Sequence, residues 1–246
     1  MMLSIKNQKG FTLVELAIVL MIIGLLIGGI LRGQELMNNA RVTSTIQQTK
    51  AYQGGLTTFR DAYTALPGDM ATPGFRLPNC TTAPCSTGGD GNGIVDQAIT
   101  LIGFATFTGN NSEQRKFWLH MAAAHLITGV DLGTTTMTGM GNWGIQYPMA
   151  KIGGGFHVGY YAVNYNDPTF PPFSGHFLTL QGSPGPTVLS NFTMTPGQAA
   201  MFDRKVDDGL PHTGDVLGVP DFDENSCVVS STHYIMRNPR SRDVTC

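Results

Sequence analysis

An unbroken apolar segment from Phe11 to Leu31 constrains this chain more than any other feature. Its 21 residues rise about 1.5 Å each in a helix. The resulting length of about 31 Å matches a bilayer hydrocarbon core of about 30 Å. The residues before it carry Lys6 and Lys9, as a cytoplasmic flank does. No small-residue cleavage site of the secretory type follows Leu31, so the sequence predicts a membrane-spanning helix.

Glu15 lies inside this apolar segment and is the only ionisable side chain between Lys9 and Arg32. A charged side chain at the centre of a bilayer costs roughly 2.5 to 3.5 kcal/mol on insertion scales. We therefore expect Glu15 to have a partner or a function. The alternative is a plain single-span anchor with an incidental glutamate.

The residues around Glu15 resemble the N-terminal cleavage and methylation segment of type IV prepilins and pseudopilins. A short basic leader ends in Gly10, and Phe-Thr-Leu-Val-Glu then opens the apolar helix. The resemblance implies that prepilin peptidase cleaves between Gly10 and Phe11 and that the new Phe11 amine is methylated. It also implies that Glu15 faces the Phe11 amine of a neighbouring subunit during assembly. Such a pair removes part of the desolvation penalty of both charges.

No proline occurs between Phe11 and Leu66, so nothing in this stretch interrupts a helix that continues beyond the membrane segment. Apolar side chains recur on one helix face at Val42, Ile46, Tyr52, Leu56, Phe59, Tyr63 and Leu66. The Pro67-Gly68-Asp69 sequence ends the helix. We therefore divide the chain into a leader (1–10), a transmembrane or filament-core half of the first helix (11–31), its amphipathic half (32–66) and a globular head (67–246).

The head sequence alternates short strand-like runs with turns rich in glycine, proline, threonine and asparagine. Strands are predicted at 156–165 and 176–181, and also at 227–231 and 232–236. An amphipathic helix is predicted at 113–127, with Phe117, Met121, Ala124 and Leu126 on its buried side. Another is predicted at 196–206, with Thr195 as N-cap, Pro196 at N1 and Gly209 as the stop. The fold class is α+β, a long N-terminal helix on a head with an antiparallel β-sheet, as in type IV pilins.

The four cysteines favour two disulfides, because a head outside the cytoplasm lies in an oxidising compartment. Three pairings are possible, and proximity favours Cys80 with Cys85 and Cys227 with Cys246. The second pair resembles the C-terminal disulfide of many type IV pilins. Free or metal-binding thiols are the alternative, although neither pair has the Cys-x-x-Cys spacing.

The sequence Gly-Asp-Gly-Asn-Gly-Ile-Val-Asp at 89–96 is the strongest candidate for a ligand site in the head. Asp90, Asn92 and Asp96 offer oxygen atoms at alternating positions, as compact calcium loops do. The pattern lacks the terminal glutamate of an EF-hand, so further ligands would come from water or from a residue such as Asp69. A glycine-rich tight turn without metal is the alternative.

A second acidic run lies at 202–209, where Asp203 and Asp207 share a predicted helix face. Arg204 and Lys205 stand beside them, so a solvated and partly self-neutralised helix end is the favoured interpretation. A subunit contact or a second cation is the alternative.

The sequence contains no Gly-x-Ser-x-Gly elbow, no phosphate-binding loop and no zinc helix, so we predict no enzymatic activity. His120 and His125 are five residues apart on a predicted helix and do not share a face, so both are interpreted as structural histidines. The net charge of −2 predicts no nucleic-acid binding. No cofactor is expected apart from the calcium considered above.

The sequence as a whole predicts a structural subunit of a type IV pilus or related filament. Its expected partners are identical or related pilin subunits, prepilin peptidase and an assembly platform in the bacterial inner membrane. The precursor is expected in that membrane, and the mature chain in an extracellular or periplasmic filament. The alternatives are a minor pilin or pseudopilin of a type II secretion or DNA-uptake machine, or a membrane-anchored extracytoplasmic binding protein.

Overall fold

A computed structural model of the chain describes residues 11–95, 112–133, 142–163, 173–182, 193–211, 213–218, 228–230 and 233–234. The described part contains four helices, α1 (Leu13–Tyr63), α2 (Pro73–Arg76), α3 (Glu113–Ala123) and α4 (Pro196–Val206). It also contains four strands, β1 (Gly155–Val163), β2 (Phe173–Gln181), β3 (Val228–Ser230) and β4 (His233–Tyr234). The predicted long N-terminal helix is confirmed, but it ends at Tyr63 rather than at residue 66, because Thr64 has a left-handed backbone with φ of 49°. Helix α2 was not predicted.

The strands form two antiparallel pairs. β1 pairs with β2 in a register that runs from Gly155 opposite Gln181 to Val163 opposite Phe173. β3 pairs with β4 over a few residues. The combination of a long apolar helix, shorter helices and antiparallel strands confirms the α+β fold class.

The chain divides into two compact units, Met1–Ala40 and Arg41–Cys246. In the first unit, α1 has a mean hydropathy of 2.7 over an 18-residue window, and none of that window is buried. Its length and composition are sufficient to cross a membrane.

In the second unit, the predicted apolar face of α1 packs into the core. Val42, Ile46 and Phe59 are buried, and Tyr52 is half-buried. The ring of Tyr52 lies 5.2 Å from the ring of Trp118 on α3. It also lies 5.2 Å from the ring of Phe156 on β1, and edge-to-face contacts of this kind stabilise a core beyond simple burial.

Helix α3 differs from its prediction in two respects, its end and its exposure. It ends at Ala123, four residues before the predicted end, because His125 has a left-handed backbone with φ of 59°. The amides of His125 and Leu126 then donate to the carbonyls of Ala122 and Met121, which is a Schellman ending. All 11 residues of α3 are buried, so the expected solvent-facing polar side does not exist.

Helix α4 has the start and end that the sequence predicts. Thr195 Oγ1 accepts the Gln198 amide at 3.3 Å, and Gln198 Oε1 accepts the Thr195 amide at 2.9 Å. These reciprocal bonds form a capping box, which satisfies two amides that a helix start leaves without intrahelical partners. The Lys205 ammonium donates to Thr43 Oγ1 at 2.8 Å, so α4 is fastened to α1 within the second unit.

Candidate functional site

The start of α1 is closed by Thr12 and Glu15. Thr12 Oγ1 accepts the Glu15 amide at 3.3 Å, and Glu15 Oε2 accepts the Thr12 amide at 2.8 Å. The Thr12 hydroxyl also donates to Glu15 Oε2 at 2.9 Å. The predicted assembly residue therefore caps its own helix, as the acidic member of a capping box does. Gly10 lies outside the described residues, and Phe11 is 84% exposed.

The apolar half of α1 presents its side chains outward. Large apolar side chains from Leu13 to Leu31 are between 44% and 86% exposed in the chain. A Cβ atom added at Gly24, Gly28, Gly29 or Gly33 would have no atom within 4 Å. Small residues at this spacing allow close approach of a second helix in a bilayer. The exposed apolar side chains and small residues of α1 are thus compatible both with lipid contact and with packing against another helix.

In the second unit, the carboxylate of Asp69 organises the predicted calcium segment. Asp69 is 4% exposed and accepts the backbone amides of Gly91, Asn92 and Gly93 at 2.7, 3.1 and 2.9 Å. Within the segment, Asn92 Oδ1 accepts the Ile94 amide at 2.6 Å. These bonds give a tight-turn structure that needs no metal for its local backbone contacts.

Carboxylate oxygens of Asp69, Asp90 and Glu113 lie within 4.8 Å of one another. Glu113 Oε1 accepts the Asp90 amide at 3.0 Å. Lys116 lies near this group: burial lowers the pKa of its ammonium, and Glu113 and Asp90 oppose that shift. The group can attract a cation, and Lys116 supplies part of the positive charge. The sequence did not indicate Glu113, whose role depends on the packing of α3.

Calcium binding at Asp90, Asn92 and Asp96 stays a prediction. The structure places Asp90 and Asn92 in one turn, where Asn92 Nδ2 donates to Asp90 Oδ2 at 2.8 Å. Asp96 lies outside the described residues. Asp69, which the sequence analysis named as an additional ligand, belongs to the same group as Asp90.

His120 joins α3 to two other segments. Its Nδ1 accepts the Gly68 amide at 2.9 Å, and its Nε2 lies 3.1 Å from the Cys85 carbonyl oxygen. Because a backbone amide can only donate, the proton of the neutral ring must sit on Nε2. Burial lowers the pKa of His120 to about 4, the Cys85 carbonyl opposes the shift, and Lys116 adds to it. The interpretation as a structural histidine fits this arrangement.

Gly68 occupies a position that other residues cannot take. Its φ is +89°, and an added Cβ would lie 2.3 Å from the carbonyl oxygen of Glu113. The turn after α1 can therefore approach α3 closely enough for the His120 contact only with glycine here.

Cys80 and Cys85 form a disulfide with a Cα–Cα distance of 5.2 Å. Both are buried in the core of the second unit. Cys227 and Cys246, the other predicted pair, lie outside the described residues.

One carboxylate of the second acidic run is buried, whereas Arg204, Lys205 and Asp208 are exposed. Asp203 is fully buried, although a solvated helix end was favoured, because the turn after α4 folds back over it. Asp203, Asp207 and Asp208 each place a carboxylate oxygen within 4.8 Å of the others. Hydrogen bonds from the Thr213 hydroxyl and the Leu210 amide lower the pKa of Asp208. The run organises the turn after α4, and a cation or subunit contact there stays a prediction.

Comparison with known families identifies the N-terminal segment. Residues 5–31 match the family model for the prokaryotic N-terminal methylation motif, which is the type IV prepilin signature. The match covers the N-terminal segment alone, and it supports a type IV pilin- or pseudopilin-like protein, a class whose members are structural. The motif and the apolar helix fit a membrane-anchored precursor. No curated protein and no solved structure matches the chain.

Proposed function

We propose that this chain is a structural subunit of a type IV pilus or related filament. Prepilin peptidase cleaves it between Gly10 and Phe11, and the mature subunit polymerises through α1. The observation that carries the proposal is the methylation motif at 5–31, which runs into an exposed apolar helix. An exposed apolar surface of this size requires lipid or protein around it in water.

Glu15 supports the same proposal. In the single chain its carboxylate is bonded to Thr12 at the start of α1. On assembly, the methylated Phe11 amine of a neighbouring subunit supplies an opposite charge at the same depth. The pair lowers the cost of a carboxylate in an apolar surrounding, which favours addition of subunits in register.

Processing at Gly10 provides the direct test. We expect N-terminal sequencing of the mature protein to begin at a methylated Phe11. Replacement of Gly10 by a bulky residue should leave the full-length precursor in the membrane. Gly24→Ala is a matched control, because it changes a glycine of the same segment at a position with open space around it. A mature chain that keeps Met1, or begins beyond Leu31, would contradict the proposal.

The abundance of the subunit in sheared surface filaments distinguishes a major pilin from a minor pilin or pseudopilin. A major pilin dominates the mass spectrum of sheared surface filaments, whereas a minor pilin or pseudopilin of a secretion or DNA-uptake machine is scarce there. The anchored binding protein is the alternative from another class. It predicts that function survives both replacement of Glu15 and a block of cleavage at Gly10.

A further inference from the structure

His176 connects the segment of residues 89–95 to the β1–β2 pair. The Val95 amide donates to His176 Nε2 at 3.0 Å, and the Val95 carbonyl accepts the Tyr160 amide at 3.2 Å. Tyr160 and His176 lie opposite each other in the strand register. Val95, which is 1% exposed, is therefore attached to both members of one cross-strand pair.

Only one protonation state of His176 is compatible with this contact. A backbone N–H can donate but not accept, so Nε2 must present a lone pair and the neutral ring must carry its proton on Nδ1. Protonation of Nε2 would set two N–H groups against each other and remove the hydrogen bond to Val95. His176 is only partly buried and keeps access to solvent, so protons reach it.

The charged and titratable groups that face His176 come from three elements. Arg60 lies on α1, Asp69 lies in the turn after α1, and the Tyr160 ring on β1 is 5.3 Å away. Burial lowers the pKa of His176 from 6.5, Arg60 lowers it further, and Asp69 opposes them. The neutral, accepting ring is consequently the dominant form at neutral pH.

We propose that His176 is an acid-released latch for the 89–95 segment. The neutral ring accepts the Val95 amide, and the protonated ring releases that amide, while the Val95 carbonyl keeps its bond to the Tyr160 amide. The latch is fully closed above pH 6.5 and opens as the pH falls through the lowered pKa of His176. Release is local, because Asp69 continues to hold the amides of Gly91 and Gly93 at the other end of the segment.

Hydrogen exchange in the full chain, solubilised in detergent, tests the latch. Exchange of the Val95 amide is measured at about pH 7.5 and about pH 4 and divided by the intrinsic rate at each pH, a range that extends below the ordinary histidine pKa to include a lowered one. We expect protection of Val95 to fall about fivefold or more at the lower pH, the loss that corresponds to one hydrogen bond.

Two variants separate the latch from a general acid effect. His176→Gln provides a side-chain oxygen that accepts the Val95 amide and does not titrate, so protection should be independent of pH. Arg60→Gln removes a positive charge that faces His176, so the midpoint of release should move to higher pH. Equal protection of Val95 at both pH values in the natural chain would overturn the proposal. So would an unchanged pH dependence in His176→Gln.

Discussion

At the scale of single residues, His120 makes the stability of the second unit depend on pH. Burial lowers its pKa from 6.5 to about 4, so the unfolded chain binds a proton that the folded chain does not in that range. The stability that neutral His120 contributes is fully present above pH 6.5 and is lost as the pH falls towards about 4. The shift corresponds to about 3 kcal/mol.

We expect the His120 ring in the full chain to remain neutral until the pH approaches about 4, as followed by NMR of its ring protons. His120→Gln should flatten the fall of unfolding free energy between pH 6.5 and that value. His157 continues to contribute in the variant, because complete burial lowers its pKa to about 3. Titration of His120 near 6.5 would contradict the contacts to Gly68 and Cys85.

Calcium binding at Asp90, Asn92 and Asp96 is a second prediction at this scale. Binding to the folded chain alone stabilises it by about 2.7 kcal/mol when calcium exceeds its dissociation constant a hundredfold. The full chain should therefore melt at a higher temperature in calcium than in chelator, and Asp90→Ala should remove the difference. Asp61→Ala is a control, since Asp61 is an exposed carboxylate on α1. An unchanged melting temperature would favour the alternative interpretation, a glycine-rich tight turn without metal.

At the scale of elements, Gly54 and Gly55 of α1 form a natural pair for comparison. A Cβ at Gly54 would meet nothing within 4 Å, whereas one at Gly55 would lie 2.8 Å from Met121 Cε on α3. Gly54→Ala should stabilise the chain by about 0.5–1 kcal/mol through helix propensity. Gly55→Ala should gain less or lose stability, because Met121 must move. Urea unfolding of both variants measures the difference, and equal gains would contradict the close packing of α1 on α3.

Sequence reasoning identified the elements whose signals are local. The start of α4 follows from Thr195, Pro196 and Gln198, because a capping box involves residues only a few positions apart. The apolar face of α1 followed in the same way from helical periodicity.

The structure of α3 depends on residues distant in the sequence. Its polar residues looked solvent-facing, yet Lys116 donates to the Gly88 carbonyl at 2.8 Å and Glu113 accepts the Asp90 amide. No local pattern indicates that such partners will be close. The same limit applies to the candidate site: Glu113 joined the acidic group through packing, whereas Asp69 had been named from the sequence.

At the scale of the whole molecule, Glu15→Ala should separate insertion from assembly. The replacement removes a carboxylate from an apolar segment, so insertion should be unaffected, while the pairing with a neighbour's amine is lost. We expect the variant at normal level in the membrane, with few or no surface filaments by electron microscopy.

Glu35→Ala is the matched control for Glu15→Ala. Glu35 forms an exposed ion pair with Arg32 at 3.1 Å, and such pairs contribute little to stability. The Glu35→Ala variant should form filaments at the same yield as the unmodified chain. If Glu15→Ala also formed filaments at that yield, the anchored binding protein would become the better description.

The bonds between Thr12 and Glu15 have a consequence for the reversibility of assembly. Because the carboxylate already has partners in the lone chain, joining the proposed filament would exchange these partners for others instead of creating the first ones. For Glu15, only the difference between the two sets of contacts would then favour association, and a subunit that left the filament would regain its own helix cap. Such a subunit would keep a closed helix start outside the filament, so the contacts of Glu15 alone would not make the proposed assembly irreversible.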